Sequence, residues 1–256
     1  MLAIPLGIVI GLIVGAVGGG GAILALPVLV YVLGEGVGPA STASLIVVAI
    51  AAGIGAGAPA LRGHVCWRIA LTFAAPAAAG SLLGTLANTA ISAKALILSF
   101  VPLMVIAAAA TWRRAAQTDD DDAGSCPDAR ATRIVPAGVG VGVLTGLFGV
   151  GGGFLIVPVL TLWLGFSFRR AVATSLVIIT LTGLVALASH LAIGATIDVP
   201  VTVALAGSTA TGALIGSIFA QRLPQAALGR TFAVVVGLLA GFLLIDTLLL
   251  NGPPHG

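Results

Sequence analysis

Apolar residues fall in long unbroken stretches along this chain of 256 residues, and charged ones are confined to the gaps. No Asp, Glu, Lys or Arg occurs in 1–34, 36–61, 69–93, 95–112, 134–168, 171–197, 199–221 or 231–245. Most of these approach the roughly 20 residues that a membrane-spanning helix needs. A transmembrane barrel would instead show short alternating segments. The pattern predicts an all-α polytopic integral membrane protein with about eight hydrophobic segments. The first stretch does not fit one span. As a continuous helix, residues 2–34 would measure about 48 Å, against a hydrocarbon core of about 30 Å. GAVGGGGAILALPVLV, residues 15–30, cuts it with Gly18, Gly19, Gly20 and Gly21. Each glycine costs a helix about 1 kcal/mol relative to alanine, so the run predicts a break between two arms of about 15 residues. Broken backbone at membrane depth is tolerated only where protein or a water-filled cavity surrounds it.

The break recurs. An offset of 131 places this segment over GLFGVGGGFLIVPVLT, residues 146–161, with eight of sixteen positions identical. The same offset pairs Pro5 with Pro136, Gly7 with Gly138, Gly11 with Gly142, Ser44 with Ser175, Leu45 with Leu176 and Gly63 with Gly194. With one inserted residue, Gly80 and Gly84 fall on Gly212 and Gly216. The chain reads as an N-terminal transmembrane repeat (1–112), a polar linker (113–133) and a C-terminal transmembrane repeat (134–256). Each repeat holds a Gly-broken hairpin plus three spanning helices.

Charge chooses between topologies, because Arg and Lys in short loops favour the cytoplasm. If each broken block spans once, Arg62, Arg68, Arg113, Arg114, Arg130 and Arg133 lie opposite Lys94, Arg169, Arg170, Arg222 and Arg230, six against five. If each block returns as a hairpin, all ten arginines share one side and only Lys94 lies on the other. The hairpin is therefore expected. It makes the repeats inverted, the linker cytoplasmic and both termini extracytoplasmic. The hairpins either re-enter or cross fully without changing this parity. The first stretch lacks a basic leader region and is read as mature structure.

Composition agrees with a bilayer: 59% of residues are hydrophobic, 7% are charged, and the mean hydropathy is +1.21. The net charge of +3 reports orientation, not nucleic-acid binding. Cys66 and Cys126 stand in no metal-ligand spacing and are expected to be free thiols. Asp119 to Asp122 lack the alternating spacing of a calcium loop and read as solvated linker. No metal or cofactor is expected.

Interrupted helices in inverted repeats line the substrate cavity of secondary transporters. Amides near Gly20, Gly21 and Ala22, and near Gly149, Gly151, Gly152 and Gly153, would open helices, and helix N-termini attract anions. Pro27 and Pro158, six residues past Gly21 and Gly152, would loosen the arm or act as hinges. Gly7, Gly11, Gly80, Gly84, Gly212 and Gly216 read as close helix packing. Ser44, Thr174 and Ser175, with Ser41 and Thr42, supply hydroxyls near the breaks, although buried helical Ser and Thr often bond their own helix carbonyls. His190 is a candidate for proton coupling; an interfacial position is its plainer reading. An intramembrane hydrolase would need a positioned nucleophile. No G-x-S-x-G occurs, and Ser189 and His190 are helix neighbours on different faces. No enzyme is expected, and no G-x-x-x-x-G-K-[ST] loop points to ATP hydrolysis.

GLFGVGGGFLIVPVL followed by ATSL (173–176), with GGGGA and TASL in the first copy, resembles the sulfite exporter TauE/SafE family. The resemblance covers nearly the whole chain. It implies a multi-pass transporter of a prokaryotic inner membrane, carrying small sulfur-containing anions such as sulfite or organosulfonates. The expected partners are that anion and membrane lipid, with homo-oligomerisation open. An anion channel or a non-transporting membrane subunit is the alternative.

Overall fold

The computed structural model describes residues 3–19, 25, 28–32, 37–88, 93–115, 126–148, 153–192 and 199–249, and every regular element among them is helical. α1 (Ala3–Val17) is followed by a π-helical segment, Val28–Val32. Then come α2 (Val37–Leu61), α3 (Trp67–Asn88) and α4 (Ala93–Ala115). α5 (Ala131–Phe148) precedes a short α6 (Gly153–Pro158), which runs into a π-helical segment, Val159–Trp163. α7 (Phe168–Ala192), α8 (Val199–Ala220) and α9 (Gln225–Leu249) complete the chain. Among the described residues, five helices are long and apolar enough to cross a membrane, lying in α2, α3, α7, α8 and α9. The protein is an all-α, multi-pass membrane protein.

Glycines set the closest packing. A Cβ on Gly7, Gly11 or Gly15 of α1 would strike Ser208, Thr209 or Ala213 of α8, and one on Gly212 or Gly216 would strike Ile8 or Leu12. The same seam recurs where Gly138, Gly142 and Gly146 of α5 meet Pro76, Ala77 and Ser81 of α3, and where Gly80 and Gly84 meet Val139 and Val143. Small residues let two backbones approach within van der Waals reach, which drives association where lipid is as apolar as the helices. In both seams the contacts advance together along the two chains, so α1 is parallel to α8 and α5 to α3.

One end of the bundle gathers the basic residues. Arg170 donates from Nη1 to the Gly63 carbonyl (3.2 Å), and Arg169 from Nη2 to the Leu223 carbonyl (3.0 Å). The Arg230 guanidinium lies 5.8 Å from the Trp112 ring centre. These contacts join the α2–α3 turn, the start of α7, the α8–α9 turn and the end of α4. Arg62, Arg68, Arg113, Arg114, Arg130, Arg133 and Arg222 sit on the same turns and helix ends, so all ten arginines share one end. Lys94 opens α4 at the other. Trp67, Trp112 and Trp163, each about half exposed or more, ring the arginine end as interfacial aromatics do.

Both broken blocks return. α5 leaves the arginine end at Ala131, and α7 starts there at Phe168, so the chain comes back through α6 and the π-helical segment. In the first block, Leu29 packs with Ala40, Val47 and Leu205 at the opposite end, so the chain returns toward the end where α1 began. The π-helical segments begin at Val28 and Val159, each directly after a proline whose missing N–H frees a carbonyl. Pro158 closes α6 immediately before its π-helical segment; Pro27 itself lies outside the described residues.

The core is built on α6, the π-helical segment that follows it and α7, where Phe154, Leu160, Leu176 and Ile178 are almost fully buried. Outward faces carry Leu82, Leu83, Leu86, Val203, Phe219 and Leu238, all exposed, as a lipid-facing surface requires.

The cysteines correct the sequence reading. Cys66 and Cys126 form a disulfide with Cα atoms 5.8 Å apart. Sixty residues separate them, and nothing in their spacing signals the bond; it forms because α3 and α5 are parallel and start side by side. Closing a loop of that length contributes about 4 kcal/mol by chain entropy. Protein purified without reductant should show no alkylatable thiol, and reduction should expose two and lower the melting temperature. Two reactive thiols before reduction would refute the bond.

Candidate functional site

The two broken blocks meet inside the bundle. α1 ends at Val17, and the next residue, Gly18, has a φ of +76° that glycine adopts at little cost and an N–H that donates to the Val14 carbonyl (2.8 Å). A Cβ on Gly19 would strike the Gly153 backbone, and one on Gly153 would lie 2.8 Å from the Gly19 Cα and 2.9 Å from the Ile179 Cδ1. The tips are thus in backbone contact, one reached from each end of the bundle. Gly20, Gly21, Gly149, Gly151 and Gly152 lie outside the described residues.

α7 supplies the hydroxyls. Thr174 and Ser175 are fully buried. The place a Cβ would take on Gly18 is 2.8 Å from the Ser175 Oγ, so an α7 hydroxyl faces the tip that ends α1. Ser175 donates to the Val172 carbonyl of its own helix (2.8 Å), the local bond that buried serines favour. The Thr174 Oγ1 accepts from the Cys66 N–H (3.2 Å). Sequence reasoning missed this last contact, which ties the disulfide-bearing turn to the site; the residues are 108 positions apart and no local pattern joins them.

The other candidates divide. Ser44 is half-buried in α2 and is not among the nearest neighbours of Gly18, Gly19 or Gly153. Pro158 closes α6, which is buried throughout. His190 lies in the last turn of α7, away from the arginine end; its side chain lies outside the described residues.

No charged side chain is buried among the described residues; the buried polar ones are Ser, Thr and Gln225. A ligand at the junction would meet neutral hydroxyls, backbone dipoles and the buried N-terminus of α6, whose first amides have no intrahelical acceptor. Phe154, the residue after Gly153, packs edge to face on Phe100 with ring centres 5.2 Å apart.

Tip contact sets a sharp requirement on side-chain size. Gly19→Ala should force the hairpins apart and lower transport at least tenfold in reconstituted vesicles. Gly237→Ala, with open space around it, should leave transport unchanged. Equal activity of the two variants would show that the tip contact is dispensable.

Known proteins resemble this chain along almost its whole length. The family described as sulfite exporter TauE/SafE matches residues 3–243. Proteins named probable membrane transporter protein from two strains of Xylella fastidiosa are 31% and 32% identical, each match covering 92% of this chain and 91% of the relative. A probable membrane transporter protein of Methanocaldococcus jannaschii is 26% identical, over 96% of this chain and 97% of its own. No solved structure matches. With that coverage, and with its apolar helices folded around two touching glycine tips, the chain belongs to the sulfite exporter TauE/SafE family and is a membrane transporter.

Proposed function

We propose that the protein is a secondary transporter of small sulfur-containing anions, sulfite or organosulfonates, working by alternating access around the two glycine tips. The observation that carries this reading is the backbone contact between Gly19 and Gly153 beside the buried Ser175 hydroxyl. Helix N-terminal amides stabilise negative charge, and glycine leaves them reachable. Binding through neutral donors is weak enough to release the cargo, and parting the tips on either side would open the site to one compartment at a time. Inverted repeats supply the two alternative states, and the recurrence of the glycine seam in both halves supports that architecture, with 1–112 and 134–256 as repeats joined by 113–133.

The cargo class rests on the family, whose description names sulfite export. Preloaded vesicles containing the pure protein should take up labelled sulfite or taurine faster when the same anion is inside. Conductive flux without that acceleration would make the protein an anion channel, and counterflow of carboxylates alone would overturn the sulfur assignment.

The arginine end faces the cytoplasm on this reading, in a prokaryotic inner membrane. The Cys66–Cys126 bond lies there too, although disulfides persist chiefly in oxidising compartments. Ten arginines fix orientation at insertion, whereas a single bond follows the redox poise around it, so the arginines decide the side. A reporter inserted within 119–128 should behave as cytoplasmic and one after Asn251 as periplasmic. The same side for both would reject the inverted arrangement.

A further inference from the structure

The disulfide joins two unequal sulfurs. Cys126 is exposed in the segment that leads into α5 at Ala131. Cys66 is buried, 3% exposed, and stands directly before α3, with its carbonyl accepting the Ala70 N–H (2.9 Å) that opens the helix. Arg170 faces the exposed partner: its Nη1 donates to the Cys126 Sγ (3.8 Å) as well as to the Gly63 carbonyl (3.2 Å). One sulfur is therefore reachable beside a cation, and the other is enclosed at the positive end of a helix.

That asymmetry sets the order of a thiol–disulfide exchange, in which access decides which sulfur is attacked. A thiolate of a dithiol reductant, drawn by Arg170, forms a bond to the Cys126 sulfur as the Cys66–Cys126 bond breaks. The electron pair leaves on Cys66, where the first amides of α3 stabilise negative charge until a proton is taken up. The reductant's second thiolate then attacks its own sulfur in the mixed disulfide and releases Cys126. Two electrons and two protons pass to the protein, and the dithiol ends as a disulfide.

Cys66 also reaches the tip junction. Its N–H donates to the Thr174 Oγ1 (3.2 Å), and the next residue, Ser175, has its Oγ 2.8 Å from the place a Cβ would take on Gly18. A closed bond braces the Cys66 turn from two sides, through α3 and through the segment leading into α5; opening the bond removes the second brace. We infer that the Cys66–Cys126 pair is a redox switch on transport. Closed, it clamps Thr174 and Ser175 against the first tip and slows the parting of the tips; open, it lets the start of α7 move with them. The switch rests on the transport reading and on the cytoplasmic side assigned to the arginine end, where thiol reductants would meet the exposed sulfur.

Counterflow of labelled taurine, compared between oxidised vesicles and vesicles treated with dithiothreitol, reads the switch; sulfite is avoided because it cleaves disulfides. Reduction should speed the wild type about fivefold or more, and Cys126→Ser should run at the reduced rate under both conditions. Thr174→Val still forms the disulfide but lacks the acceptor for the Cys66 N–H, so its two rates should converge, whereas Thr174→Ser should keep the wild-type ratio. Three results overturn the inference: equal rates for oxidised and reduced wild type, an undiminished ratio in Thr174→Val, or a monothiol adduct that peptide mapping places on Cys66 instead of Cys126. If no sulfur anion is carried in either state, the transport reading falls alone. Backbone amide exchange over 172–176 then decides the switch: faster exchange on reduction in the wild type but not in Thr174→Val keeps it, and equal exchange in both states removes it.

Discussion

Backbone that leaves the helix inside a membrane must be wrapped in protein, since hydrocarbon offers amides no partner. The two glycine seams meet that constraint. Because Gly7, Gly11 and Gly15 let α1 lie against α8, and Gly138, Gly142 and Gly146 let α5 lie against α3, each broken hairpin is embedded before it breaks. A bulkier residue in either seam would push an arm toward lipid and expose the tip it carries. The contact between Gly19 and Gly153 depends on both seams at once, as each arm is aimed by its own.

The first arm of each hairpin packs on the second long helix of the opposite half, α1 on α8 and α5 on α3. The seams therefore cross-link the halves, and motion of one half against the other must carry a tip with it. The arginine end stiffens the same arrangement: Arg169 and Arg170 fasten the start of α7 to two neighbouring turns, and the Cys66 N–H reaches Thr174 beside the junction. The turn bearing the disulfide thus touches the residue next to Ser175, so its position and that of the site are mechanically joined.

Much of this was legible without coordinates. Charge-free stretches gave the membrane helices, and the arginine count called for blocks that return. The cysteine bond was not legible, because two cysteines in different segments carry no sign of which helix starts adjoin.

What the sequence determined by itself is whatever follows from solvent and periodicity. Lipid dictates helices of a given length, consecutive glycines dictate a break, and charge asymmetry dictates parity. Tertiary structure alone decided which surfaces meet. Gly19 finds Gly153, Gly18 finds Ser175, and Cys66 finds Cys126 because parallel packing of α1 on α8 and of α5 on α3 brings distant positions to one depth, and depth in the bundle is written in no local pattern of residues.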